Sequence, residues 1–267
     1  MMTATLGGLI KDYRLKKRLS QIDVSLKIGW KDTSRLSKIE QGRVNKPNRD
    51  TAEKIMEALS LNEQERGNFL LIGGYLPTDT EINQVIKQIK TKIDTWAYPA
   101  YLMDFSFRGL YTNGNTLIAM NIDPSNTNWF EKNKPNFLLF PFLSKKEIGV
   151  IIQKGEDEEN LKDFEIAQIA TFKTENEQYQ NEKWYKKLIK DMMNYDRFRE
   201  LWPKVTKEEY HKTLFDYEFK TMLGIHTGKK INLKFHVSTG KVISDPRFQL
   251  VLYFPADKIT EEIFSKI

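Results

Sequence analysis

Ser34, Arg35 and Lys38 put a hydroxyl, a guanidinium and an ammonium on one side of a helix, while Leu36 and Ile39 fall on the other. Donors of this kind on a strongly basic segment suit the binding of a polyanion rather than bond-breaking chemistry. Residues capable of catalysis or metal binding are present but poorly spaced. His211, His226 and His236 have no Cys partners, because the chain has no Cys, and only pairing of their strands would bring His226 to His236. Neither a His-Glu-x-x-His nor a Gly-x-Ser-x-Gly motif occurs. The run Gly224 to Lys230 has the look of a phosphate loop, but its glycines are one residue too close and Lys230 stands where Ser or Thr is required. The acidic run Glu156-Asp157-Glu158-Glu159 lacks EF-hand spacing and reads as a solvated helix start. A non-enzyme is expected, with no catalytic residues, no metal site and no cofactor.

The distribution of charge and aromatics divides the chain. Its 267 residues carry a formal charge of +6. Residues 1–50 hold twelve Lys/Arg against five Asp/Glu, a net of +7, which leaves −1 for the other 217. Only four of the 32 aromatic residues (Tyr13, Trp30, Phe69, Tyr75) lie in the first 78. A basic end favours a polyanion, and an aromatic-rich, charge-balanced remainder favours a large core or an apolar pocket. The longest apolar run, Phe137 to Leu143, is far short of the roughly 20 residues that span a bilayer, so no membrane partner is expected. The N-terminus lacks the pattern of a secretory signal, and the absence of Cys fits a reducing, cytoplasmic setting.

The basic face needs a scaffold, and five short helices supply one. Leu6, Leu9, Ile10 and Tyr13 recur at helical spacing up to about Arg18. Ser20 with Asp23 opens a second helix that buries Val24 and Ile28 and stops at Gly29. Asp32 caps a third, Thr33 to Gln41; Asn48 caps a fourth, with Ala52, Ile55, Met56 and Leu59 inside; and Asn62 with Glu65 opens a fifth that ends at Gly73-Gly74. An all-α bundle is predicted over residues 1–78.

Leu19-Ser20-Gln21-Ile22-Asp23-Val24, Ile28-Gly29, Leu36-Ser37-Lys38-Ile39-Glu40-Gln41-Gly42-Arg43 and Pro47 resemble the phage-repressor-like (XRE/Cro) helix-turn-helix domain. The resemblance implies a bacterial transcription regulator whose third helix enters the major groove of a double-stranded DNA operator. By that likeness Thr33, Ser34, Arg35 and Lys38 face bases, and Gln21 and Arg43 face phosphate. Arg35 suits a bidentate contact to guanine. The resemblance makes Arg14 and Glu40 a structural ion pair between helices one and three. The sequence departs from the family by one extra residue in the turn, Trp30 or Lys31, and by Ser25 where Ala is usual. Trp30 reads as core packing.

Beyond the turn-rich Pro77 to Thr80, Ile82, Val85, Ile86, Ile89 and Ile93 trace a helical stripe that either pairs with a second copy or packs on its own domain. Residues 99–106 and 108–113 form a predicted hairpin, Trp129 lies in a short helix, helices are expected over 158–180, 182–193 and 194–202, and strands over 230–237 and 248–254. The fold class is α+β. Pro99-Ala100, Asn113, Asn136 with the following Phe/Leu run, and Phe198-Arg199-Glu200-Leu201-Trp202 with Val205 resemble the MmyB-like ligand-binding domain. That likeness implies a PAS-like antiparallel sheet with inserted helices over residues 79–267 and an apolar, fatty-acid-like effector. The expected lining is Phe105, Leu110, Tyr111, Phe137, Phe140, Trp202, Phe235 and Phe248, each of which also reads as ordinary core. A homodimer is expected from the spacing of successive major grooves, and the competing reading makes the C-terminal domain a protein-interaction module without a small ligand.

Overall fold

The structure is a computed structural model that describes residues 5–119, 127–142, 158–206, 216–222 and 230–265. It divides into two compact units, Met1–Pro77 with Lys241–Arg247, and Thr78–Gly240 with Phe248–Ile267.

The first unit contains α1 (Leu6–Lys16), α2 (Gln21–Ile28), α3 (Ser34–Glu40), α4 (Arg49–Ala58) and α5 (Glu63–Ile72). Local capping sets most of their boundaries. Ser20 and Asp23 form a reciprocal capping box on α2, as Asn62 and Glu65 do on α5, and Asn48 accepts from the Thr51 amide on α4. Gly29 ends α2 in the left-handed region at φ 86°. The helices share a core of Ile10, Val24, Leu36, Ala52, Ile55, Met56, Leu59 and Phe69, all fully buried. Burial of side chains of this size contributes about 1.5–3 kcal/mol each for the larger ones. Residues 241–247 complete the unit. Arg247, 1% exposed, is held by the Asp245 carboxylate at 2.6 Å and donates to the Tyr75 carbonyl at 3.3 Å.

The second unit begins with α6 (Asp79–Asp94), whose Ile82, Val85, Ile89 and Ile93 are buried within that unit, against β1 and β2 among others. Its other described elements are β1 (Ala100–Asp104), β2 (Gly109–Thr112), α7 (Gly114–Ala119), α8 (Thr127–Asn133), α9 (Glu158–Glu175), α10 (Lys183–Met192), α11 (Asp196–Leu201), β3 (Asp216–Met222), β4 (Lys230–Lys241), β5 (Phe248–Pro255) and α12 (Lys258–Phe264). The strands form one five-stranded sheet in the order β2-β1-β5-β4-β3. β1 pairs antiparallel with β2 and β5, with Leu102 opposite Leu250, and β3 pairs antiparallel with β4, with Phe219 opposite Leu233. An all-α unit followed by a sheet with helices inserted in the chain is the expected α+β class. The helix predicted over 158–180 is shorter: it ends at Glu175 and is followed by a separate 3-10 turn over Glu177–Tyr179.

Two asparagines pin this unit. The buried Asn113 side chain accepts from the Ala100 and Thr116 amides and donates to the carbonyls of Ile93, Trp96 and Tyr98, so it ties the end of α6 to β1 and α7. Asn136 donates to the Ser106 carbonyl at 2.7 Å and accepts from the Leu138 amide at 3.0 Å. Both side chains have their donor and acceptor atoms satisfied, which is the condition under which a buried amide stabilises rather than costs.

Candidate nucleic-acid interface

α3 is seven residues long and far too short to be stable alone, so its neighbours must hold it. Leu36 (0% exposed) and Ile39 (4%) anchor one side in the core. Its N-terminus is set by Asp32, whose carboxylate accepts from the Ser34 amide at 2.8 Å. That backbone hydrogen bond, with help from the Ser34 hydroxyl, holds the Asp32 carboxyl below the usual carboxylate range. At the other end of the helix, Gly7 of α1 brings the backbones together: a Cβ there would lie 2.3 Å from the Ile39 carbonyl oxygen.

The basic residues sort into two groups. Arg14 is buried and bidentate to Glu40, with Nε at 2.7 Å and Nη2 at 3.0 Å, and it also donates to the Leu19 carbonyl at 2.9 Å. The Glu40 hydrogen bond raises the guanidinium pKa further. Lys17 donates to the Ser60 carbonyl and pairs with Glu65, Lys27 donates to the Ala58 carbonyl, Lys46 donates to the Gly74 carbonyl, and Arg49 pairs with Glu53. These cations are scaffold. By contrast Ser34, Arg35, Lys38 and Arg43 are exposed, and among the described residues Arg35, Lys38 and Arg43 make no side-chain hydrogen bond or ion pair. Thr33 is half-buried at the N-cap of α3, where its side chain makes no capping bond. Ser34, Arg35 and Lys38 therefore form an exposed donor face whose two cations no protein acceptor occupies.

Gln21 belongs partly to the scaffold. Its amide donates one N–H to Glu40 at 2.8 Å, and its second N–H is left for an outside acceptor such as phosphate. Sequence reasoning did not find that bond, because nothing in the spacing of residues 21 and 40 signals it. Trp30 packs against the helical core as expected, and in addition carries the Arg35 guanidinium 5.9 Å from its ring centroid.

In the second unit the residues predicted to line a ligand site fall into several ring clusters. Phe105 packs on Tyr179 and Trp184, Phe137 on Tyr101 and Phe130, Trp202 on Phe198, and Phe235 on Tyr253 and Phe264. Leu110 and Phe248 are fully buried. Phe140 begins a 3-10 turn, and its side chain lies outside what is described. Tyr111 faces a cleft of about 410 Å³ with Lys90, Asp94, Thr112, Asn113, Gly114 and Glu131, and its hydroxyl donates to Asp94 at 2.6 Å. Burial raises the Tyr111 phenol pKa. This cleft is polar. Among the described residues no three His, Asp or Glu side chains gather as metal ligands. His211, His226 and most of the run Gly224 to Lys230 lie outside the described residues, as do Glu156 and Asp157.

Capped α2, a turn closed by a left-handed glycine and a core-anchored α3 with an exposed donor face define a helix-turn-helix module. Residues 10–65 match the helix-turn-helix family HTH_3, which supports a DNA-binding transcription regulator. No curated protein matches the chain. No described helix is long and apolar enough to cross a membrane.

Proposed function

We propose that the protein is a sequence-specific transcription regulator in which α3 lies in the major groove and Thr33, Ser34, Arg35 and Lys38 read base edges, while Gln21 and Arg43 contact phosphate. The observation that carries this reading is the exposed face of Ser34, Arg35 and Lys38, whose two cations have no protein acceptor among the described residues, on a helix fixed from behind by Leu36 and Ile39. Arg35 offers a planar pair of donors that matches guanine O6 and N7, a contact that discriminates by about 1–3 kcal/mol against a wrong base. Lys38, one turn further along, supplies a second cation on the same face. Arg35→Ala combined with Lys38→Ala abolishes preference for a duplex enriched by the wild-type chain from a randomised pool, with unfolding unchanged. An unaltered electrophoretic shift and unaltered preference in the double variant contradict the assignment.

The second unit, in this proposal, is an MmyB-like, PAS-like sensor of an apolar small molecule such as a fatty acid, and the regulator acts as a homodimer on paired half-sites. Support comes from the concentration of buried rings in that unit, among them Phe107, Phe172 and Tyr185. Effector binding would act by favouring one arrangement of the two recognition helices over another. Native mass spectrometry of the purified chain finds a dimer that carries lipid, and a long-chain fatty acid changes its affinity for the enriched duplex. The alternative, a protein-interaction module, is favoured by the way the candidate lining rings Phe105, Trp202 and Phe235 pack on other rings of the unit, and it predicts a ligand-free chain whose DNA affinity no fatty acid alters.

A further inference from the structure

Trp30 stands in the turn that carries one residue more than the family pattern. Its position is fixed from two directions: its amide donates to the Ser25 carbonyl at 2.8 Å, and its half-buried ring packs against the helical core. The Arg35 guanidinium carbon lies 5.9 Å from the ring centroid, inside the range of about 6 Å over which a guanidinium is attracted to an aromatic quadrupole. Asp32, between them in sequence, adds an attractive field on Arg35 without a direct ion pair. A guanidinium carries its five N–H groups in one plane, so attraction of its carbon to a ring face leaves those donors available to an acceptor pair. A lysine ammonium is attracted to a ring as well, but it has no planar pair of donors to present to a base edge.

We infer that Trp30 is a positioning residue for Arg35: its ring pre-orients the guanidinium so that its in-plane donors meet the edge of a guanine. This rests on the reading of α3 as the DNA-contacting helix, and it deepens that reading by naming what sets specificity at one base pair. A freely rotating Arg35 would lose side-chain entropy on binding, whereas one already drawn to a ring loses less. The benefit is confined to the base pair that Arg35 meets, because phosphate contacts elsewhere do not pass through Trp30.

A double-mutant cycle in the full-length chain tests this. Wild type, Trp30→Leu, Arg35→Ala and the double variant are compared on the enriched duplex and on duplexes substituted one base pair at a time, with Trp30→Phe alongside and thermal unfolding recorded for each. Arg35→Ala identifies its base pair by loss of discrimination there. Trp30→Leu is expected to lower discrimination at that same pair by about 2–5-fold, to leave other pairs and unrelated duplex unchanged, and to have no further effect once Arg35 is alanine. Trp30→Phe, which keeps a weaker ring face and the packing, falls between, and it carries the test if the leucine variant unfolds. A uniform loss across all duplexes, unchanged discrimination, or an effect that persists without Arg35 leaves Trp30 as core packing and overturns the proposal while the base-reading role of Arg35 stands. If Arg35→Ala discriminates as well as wild type, the base-reading role fails, and the proposal with it.

Discussion

Glu40 holds three donors at once: Arg14 Nε at 2.7 Å, Arg14 Nη2 at 3.0 Å and the Gln21 amide at 2.8 Å. The two charged partners are 9% and 3% exposed, so water reaches neither freely. Glu40→Ala leaves the Arg14 guanidinium buried with only the Leu19 carbonyl, a loss of about 3–5 kcal/mol for a severed buried pair. Against the roughly 5–15 kcal/mol that stabilises a whole domain, that is enough to loosen α1, α2 and α3 together. Replacing both partners, Arg14→Met with Glu40→Leu, removes the stranded charge and is expected to recover most of the stability, because apolar residues of similar volume often match a buried ion pair. Two folded units make a single unfolding midpoint ambiguous, so the assay is hydrogen exchange in the full chain, followed on peptides from α1 and α3. Protection there should fall by two or more orders of magnitude in Glu40→Ala and return in the paired replacement, while peptides from β1 and β5 do not change. Unchanged exchange in Glu40→Ala, or a paired replacement as damaged as the single one, would refute the view that this pair clamps the recognition helix.

Other outcomes follow from the same geometry. Gly7→Ala drives a methyl against the Ile39 and Glu40 carbonyl oxygens and should destabilise the first unit by about 1–3 kcal/mol or more, whereas Gly8→Ala meets only the capping Thr5 hydroxyl, at 3.1 Å, and should cost much less; chemical denaturation compares the two. Arg43→Ala should weaken binding to all duplexes alike and reduce the steepness of the salt dependence by about 0.9, and a change of sequence preference would contradict its phosphate role. In the second unit, burial raises the Glu165 carboxyl pKa even though Arg197 lies 2.8 Å away. A raised folded-state value means that its stabilising contribution is complete below the unfolded pKa, about 4.3, and is lost as pH rises through the folded value. Glu165→Gln stays neutral, so the wild type's stability relative to it should fall as pH rises above the unfolded value of about 4.3; a difference in thermal midpoint that does not vary with pH would contradict this.

The helix boundaries of the first unit were legible in the sequence because caps are local: Ser20 to Asp23, Asn48 to Thr51 and Asn62 to Glu65 each span three residues. The core was legible for the same reason, since a 3.6-residue period places Val24, Leu36 and Ile39 inward wherever the chain then goes. What escaped depends on side chains meeting across turns. The Gln21 bond to Glu40 crosses nineteen positions, and the approach of Arg35 to the Trp30 ring depends on the path of the turn between α2 and α3. The hairpin of β1 and β2 and the alternation of β4 and β5 were legible, but β3 was not predicted, and the placement of β5 between β1 and β4 had to come from the structure. Nothing in the composition of residues 241–247, which follow the strand predicted over 230–237 and precede that over 248–254, announces that Arg247 is buried in the helical unit.

The structure of the full-length chain bound to its enriched duplex tests the central claim most directly. The account predicts α3 in the major groove, the Arg35 guanidinium within hydrogen-bond distance of a guanine O6 and N7, Lys38 on the same groove face, and Arg14 still bidentate to Glu40 and away from the DNA. A complex in which α3 faces solvent, or in which Arg14 has left Glu40 to contact phosphate while Arg35 touches no base, would contradict it.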